Sequence, residues 1–153
     1  MRKPPAHRTR HRPPFFRPVP LRARSDGWSE ERLCGFLAAL YWTGSVTAAA
    51  RAVGMTRTSA YRLRGYEGAG SFAAAWDHIL APPGSGRWKQ PREDFRKVTD
   101  RELERRLEAG FVQPVLYQGR MCAIRRKPDD SALFRLLRRE GGFADPYWRS
   151  GTR

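Results

Sequence analysis

Between Ser45 and Tyr66 the chain reads SVTAAARAVGMTRTSAYRLRGY, and this stretch limits the fold more than any other. Ser45 suits an N-cap, and Val46, Ala49, Ala50 and Val53 share the inner side of a short helix. Gly54-Met55 interrupts it. Thr56 then caps a second short helix running to about Arg64, with Ala60 and Leu63 inward. Two helices crossing over so short a turn must approach closely, so alanine belongs at 49 and 50. The turn needs left-handed backbone, which Gly54 supplies. A small residue, a turn glycine four positions on and an apolar residue six later form the helix-turn-helix pattern, carried here by Ala50, Gly54 and Ala60.

The outward positions of the second helix are Thr56, Arg57, Thr58, Ser59, Tyr61, Arg62 and Arg64. Most are polar donors, and arginine can grip guanine O6 and N7 with two bonds. Arg57, Thr58 and Tyr61 or Arg62 are therefore the expected base readers, with Thr56 and Ser59 suited to phosphate. The competing reading is an alanine-rich helical hairpin packed on other helices, its arginines solvated and Tyr61 and Tyr66 in the core.

Charge decides between them. The net charge is +15, from 30 basic and 15 acidic residues, which points to a polyanionic partner, nucleic acid first and an anionic membrane second. Residues 1–25 hold eight bases and no acid, residues 26–81 are neutral overall, and 82–153 are net positive. The arm is expected to be disordered, because its prolines remove backbone donors and its arginines repel one another. Arg8, Arg10, Arg12 and Arg17 would supply auxiliary phosphate contacts. Phe15 and Phe16 are anomalous there; docking on the domain and stacking on bases are both open, and the adopted reading is a local apolar cluster without a role.

A first helix begins at Ser29, buries Leu33, Phe36, Leu37 and Leu40, and ends at Gly44. A fourth, SFAAAWDHIL, buries Phe72, Ala75, Trp76 and Ile79. Residues 82–97 form a Pro- and Gly-rich linker. Thr99 and Glu102 open a fifth helix with a capping box. Two β-prone runs flank Gln118-Gly119, a hairpin signal, with Pro114 marking an edge strand. Asp129 or Asp130 caps a last helix with Leu133, Leu136 and Leu137 inward. The expected fold is mainly α: a helix-turn-helix domain of three or four helices at 26–81, a helix–β-hairpin–helix unit at 98–140, the arm, and a loose tail at 141–153.

Residues 44–80 resemble the DNA-binding domain of phage terminase small subunits and related prophage helix-turn-helix proteins, through GSVTAAARAVGMTRTSAYRLR followed by FAAAWDHIL. The downstream text RLEAGFVQPVLYQGRMCAIRRKPDDSALFRLLRRE…DPYW is similar to the segment that follows in many such proteins. The resemblance implies non-enzymatic recognition of double-stranded DNA, a homo-oligomer, and a packaging ATPase or nuclease subunit as partner. A prophage transcriptional regulator is the alternative within that class. An oligomeric interaction adaptor with nonspecific nucleic-acid affinity, or an Arg-rich RNA binder, is the alternative outside it.

Catalytic and metal readings are thin. His7 and His11 fall in the arm, and His78 beside Asp77 makes no dyad because helical neighbours diverge. Asp94, Asp100 and Glu102 surround a linker and a cap. No glycine loop ends in Lys-Ser/Thr, so no nucleotide cofactor is expected, and no metal is expected because a pair at His7 and His11 would need an ordered helix. Arg125, Arg126 and Lys127 end a strand, where alternation lets only part of the cluster face one partner. Cys34 and Cys122 form no CxxC, which fits a reducing cytoplasm, and the resemblance implies that of a bacterial host. FFRPVPLRAR breaks any signal-peptide core, and no apolar run approaches a membrane span.

Overall fold

The structure, a computed structural model, describes residues 6–22 and 24–141. Among them are six α-helices and one two-stranded antiparallel hairpin. No described helix is long and apolar enough to cross a membrane. The chain divides into two compact units. One gathers the described residues up to Arg92 together with Phe111–Lys127, and the other joins Glu93–Gly110 to the described residues from Pro128 onward.

The first unit is built on α1 (Glu30–Thr43). Ser29 caps it by accepting from the Arg32 amide, and Gly44, at φ 69°, closes it in the left-handed region. Leu33, Cys34, Phe36, Leu37, Leu40 and Tyr41 are all buried, so α1 is covered on several sides. Burial pushes the Cys34 thiol up to about 12, with the Glu30 charge adding and Arg126 opposing, which leaves it inert. Against α1 lie α2 (Val46–Ala52) and α4 (Gly70–Leu80), and α3 (Arg57–Arg64) packs on α2 and α4. On α4, Phe72, Ala75, Trp76 and Ile79 face the core, as their spacing predicts.

Ala49 and Ala50 of α2 are fully buried. The turn after them is a Schellman closure: the Met55 amide donates to Ala50 O at 2.9 Å and the Gly54 amide to Arg51 O at 3.0 Å. Gly54 sits at φ 74°, with nothing within 4 Å of where a Cβ would stand. Gly54→Ala should therefore cost only backbone strain, about 1–2 kcal/mol in thermal unfolding. A neutral Gly54→Ala would show that the turn does not hold this conformation.

The hairpin, β1 (Phe111–Tyr117) and β2 (Arg120–Lys127), belongs to the first unit, not to the helices that flank it in sequence. Its apolar residues Val112, Leu116, Met121 and Ile124 join the core around α1. Gln118 and Gly119 take φ 48° and 78°, the paired positive angles of a tight hairpin turn.

Part of the segment expected to be a disordered arm is instead packed on this core; residues 1–5 and 23 lie outside the described residues. Phe16 is fully buried and Val19 nearly so. Phe16 exchanges both backbone hydrogen bonds with Val112, each 3.0 Å, and its ring meets Phe72 edge-on at 5.8 Å. Prolines do not oppose this, because a single bridge needs donors from one residue alone. Pro114, two positions beyond Val112, lies where the pairing with this segment has stopped, so its missing N–H leaves nothing unsatisfied. Part of the expected linker is also anchored: Trp88 packs against the core, and Gln90 accepts from Ser71 Oγ at 3.1 Å.

His11 stacks on His78 at 4.4 Å, with its Nε2 3.0 Å from Ser85 Oγ. Burial, reinforced by the facing His11, holds the His78 pKa below its ordinary 6.5. The unfolded chain therefore binds the proton more readily. This contribution is complete above about pH 6.5 and is lost as the pH falls below it. The urea midpoint should drop between pH 7.5 and 5.5 more in the native chain than in His78→Gln. Equal drops would contradict the assignment.

In the second unit, α5 (Asp100–Ala109) and α6 (Asp130–Arg139) enclose Val98, Leu103, Ala132 and Leu136. Thr99 caps α5 by accepting from the Glu102 amide. The reciprocal half of the expected capping box is replaced, because the Glu102 carboxylate takes Arg105 and Arg106. Asp129 is the cap of α6, accepting from the Ala132 amide at 3.1 Å. Leu136 faces inward and Leu137 is half-buried, but Leu133, expected inside, is exposed. The tail from 142 lies outside the described residues, with Phe143, Tyr147 and Trp148.

Candidate nucleic-acid interface

The seven outward residues named on α3 and its cap divide into two groups. Arg57, Thr58, Tyr61 and Arg62 are exposed. At 3.6 residues per turn they fall within an arc of roughly 140°. Ala60 and Leu63, on the opposite side, are buried. Tyr61 is 45% exposed and Tyr66 52%, so neither is the core residue that the helical-hairpin alternative requires. The Arg57 guanidinium lies over the Tyr61 ring at 5.5 Å, which orders its long side chain on the exposed face.

The other three are engaged by the protein itself, as in part is Tyr61, whose ring meets Trp76 at 5.3 Å. Thr56 Oγ1 accepts from the Ser59 amide at 3.1 Å, as an N-cap. Ser59 Oγ accepts from the indole N–H of Trp28 at 2.9 Å. Arg64 pairs with Asp77 at 2.7 Å and lies over the Trp76 ring at 5.1 Å. Ser59 and Arg64 sit at the two margins of the exposed arc, where a helix meets its neighbours. They hold α3 to the segment before α1 and to α4. Trp28 is thus a positioning residue for α3; it also packs edge-on against Phe36 at 5.7 Å.

The four arginines assigned to the arm separate in the same way. Arg10 donates from Nη1 to Tyr41 O at 2.8 Å and Trp42 O at 3.2 Å, placing its charge on the carbonyl end of α1. Its guanidinium lies against Gly44, where any side chain would collide with it. Arg17 lies over the Phe111 ring at 5.1 Å. Arg8 and Arg12 are exposed.

On β2 the alternation separates the basic cluster as expected. Arg126 pairs with Glu30, Lys127 covers the Phe15 ring at 4.6 Å, and Arg125 points to a groove beside the N-terminal segment.

Several of the acidic residues singled out in the sequence pair with arginine. Glu102 binds Arg105 at 2.7 Å and Arg106 at 3.0 Å, and the Arg105 hydrogen bond leads in holding its carboxyl below the usual range. Arg106, buried, also takes Glu93 at 2.6 Å, and Asp100 pairs with Arg139 at 2.7 Å. Among the described residues no three His, Cys, Asp or Glu side chains gather closely enough to hold a metal ion. No protein-family model, curated protein or solved structure matches the chain, so the geometry carries the functional reading.

Proposed function

We propose that the protein is a non-enzymatic, double-stranded-DNA-binding protein that reads the major groove with α3, the second helix of a helix-turn-helix. One observation carries the reading: Arg57, Thr58, Tyr61 and Arg62 stand exposed on one face of a short helix whose opposite face is anchored by Ala60 and Leu63. Eight residues of helix span about 12 Å, close to the width of the major groove. The bonds of Ser59 to Trp28 and of Arg64 to Asp77 hold the helix in place, so little backbone freedom is lost on docking. The net charge of +15 supplies the sequence-independent attraction to phosphate.

The role is of the terminase small-subunit kind, recognising DNA for a packaging enzyme, by the resemblance of residues 44–80. A prophage regulator would use the same face. Selection of bound duplexes from a random pool tests the DNA reading. A preferred sequence should emerge, with binding that weakens steeply as salt rises. Failure to enrich any duplex, or equal binding of double-stranded RNA, would overturn it.

A further inference from the structure

A second cationic site lies on the first unit. It is a groove of about 920 Å³ between the N-terminal segment, the carboxyl end of α1 and the hairpin. Arg8, Arg10, Arg12 and Arg125 line it, and none of its lining residues is acidic. Arg10 is engaged with the last carbonyls of α1. Arg8, Arg12 and Arg125 are exposed and make no ion pair among the described residues. Three such guanidiniums brought together from two distant parts of the sequence repel one another, and an anion between them relieves that repulsion.

The wall of the groove is aromatic. His7 stacks on Trp42 at 4.1 Å and 25°, and the hairpin turn at Gly119 closes on the indole ring, so the Trp42–His7 pair is held in place. Arginines along a concave path beside a fixed ring system are what a single nucleic-acid strand requires, phosphates on the charges and a base against the rings. The volume is within the range of ligand clefts and far too small to admit a double helix. The groove is also separate from α3. Trp28 ties α3 to the amino end of α1, whereas the groove is built on the carboxyl end, and the fourteen residues of α1 span about 20 Å.

We propose that this groove binds a single-stranded stretch of nucleic acid, with its phosphates on Arg8, Arg12 and Arg125. The choice of ligand rests on the nucleic-acid reading of the chain, but the two sites can be measured separately. The probe is labelled oligothymidylate of about eight nucleotides, a typical length for such grooves, titrated against the full chain by fluorescence anisotropy. The triple variant Arg8→Ala/Arg12→Ala/Arg125→Ala should bind it at least about tenfold more weakly. Its log–log salt slope should be shallower by about 2, at roughly 0.7 per phosphate on a single strand. Arg57→Ala/Arg62→Ala should leave oligothymidylate binding unchanged.

Native binding by the triple variant would overturn the proposal. So would displacement of oligothymidylate by a short duplex, or equal competition by polyglutamate. Photo-cross-linking of 4-thiothymidine oligonucleotide to the native chain needs no variant to fold. Adducts at His7 or Trp42 support the groove, and adducts confined to residues 56–64 refute it. Loss of duplex recognition with oligothymidylate binding intact would sink the α3 reading alone.

Discussion

Phe16→Ala should destabilise the first unit by about 3–5 kcal/mol, the usual cost of emptying a buried phenylalanine site. The side chain is fully buried, its ring touches Phe72, and its backbone is paired to Val112. Alanine could still form the backbone bridge, but it would leave a cavity between α4 and the hairpin. A loss of that size is a large part of the roughly 5–15 kcal/mol that holds a domain together. Phe15→Ala is the control. Phe15 is half-buried, with the Lys127 ammonium 4.6 Å from its ring centroid, so its loss should cost about 1 kcal/mol or less. Urea unfolding followed by circular dichroism measures both. If Phe16→Ala unfolds within about 1 kcal/mol of the native chain, its ring is not part of the core.

Arg57→Ala with Arg62→Ala should lower affinity for a selected duplex by about 30-fold or more. Each bidentate contact to guanine is worth about 1–3 kcal/mol, and about 1.4 kcal/mol is tenfold. Both side chains are exposed and alanine favours helix, so the fold should be kept. The pattern of loss matters as much as its size. Base readers removed from α3 should leave random-duplex binding and its salt slope nearly unchanged. Phosphate contacts would weaken selected and random duplexes alike and lower the slope by about 0.9 each. By contrast, Arg64→Ala should act mainly on stability, because Arg64 is held by Asp77 and Trp76.

Local signals carried the helices and their caps. Ser29, Ser45, Thr56 and Thr99 each accept an amide hydrogen bond at the helix start where their type and position placed them, and of the two candidates for the last cap Asp129 takes the role. Ala49, Ala50 and Gly54 likewise announced a close crossing and a left-handed turn. What stayed hidden was long-range pairing. Nothing near Phe16 shows that it meets Val112, and the arginines and prolines around it have the composition of disorder. The hairpin was legible as a hairpin, but its alternating residues do not say which surface it covers. It joined α1, while the helices on either side of it joined each other.

The site followed the same rule. An outward position on α3 was readable from periodicity. Whether its side chain was available depended on partners far along the chain. Trp28 takes Ser59, Asp77 takes Arg64, and the end of α1 takes Arg10. The groove beside Trp42 needed Arg8 and Arg12 from one end of the chain and Arg125 from the other, a convergence that only the fold creates.

In the proposed complex the exposed face of α3 lies against the bases of a duplex. Amide shift perturbation in the labelled chain, titrated with a selected duplex, tests it most directly. The largest changes should fall between Thr56 and Arg62, with α6 unmoved. Changes that leave Thr56–Arg62 untouched while the duplex binds elsewhere would contradict it.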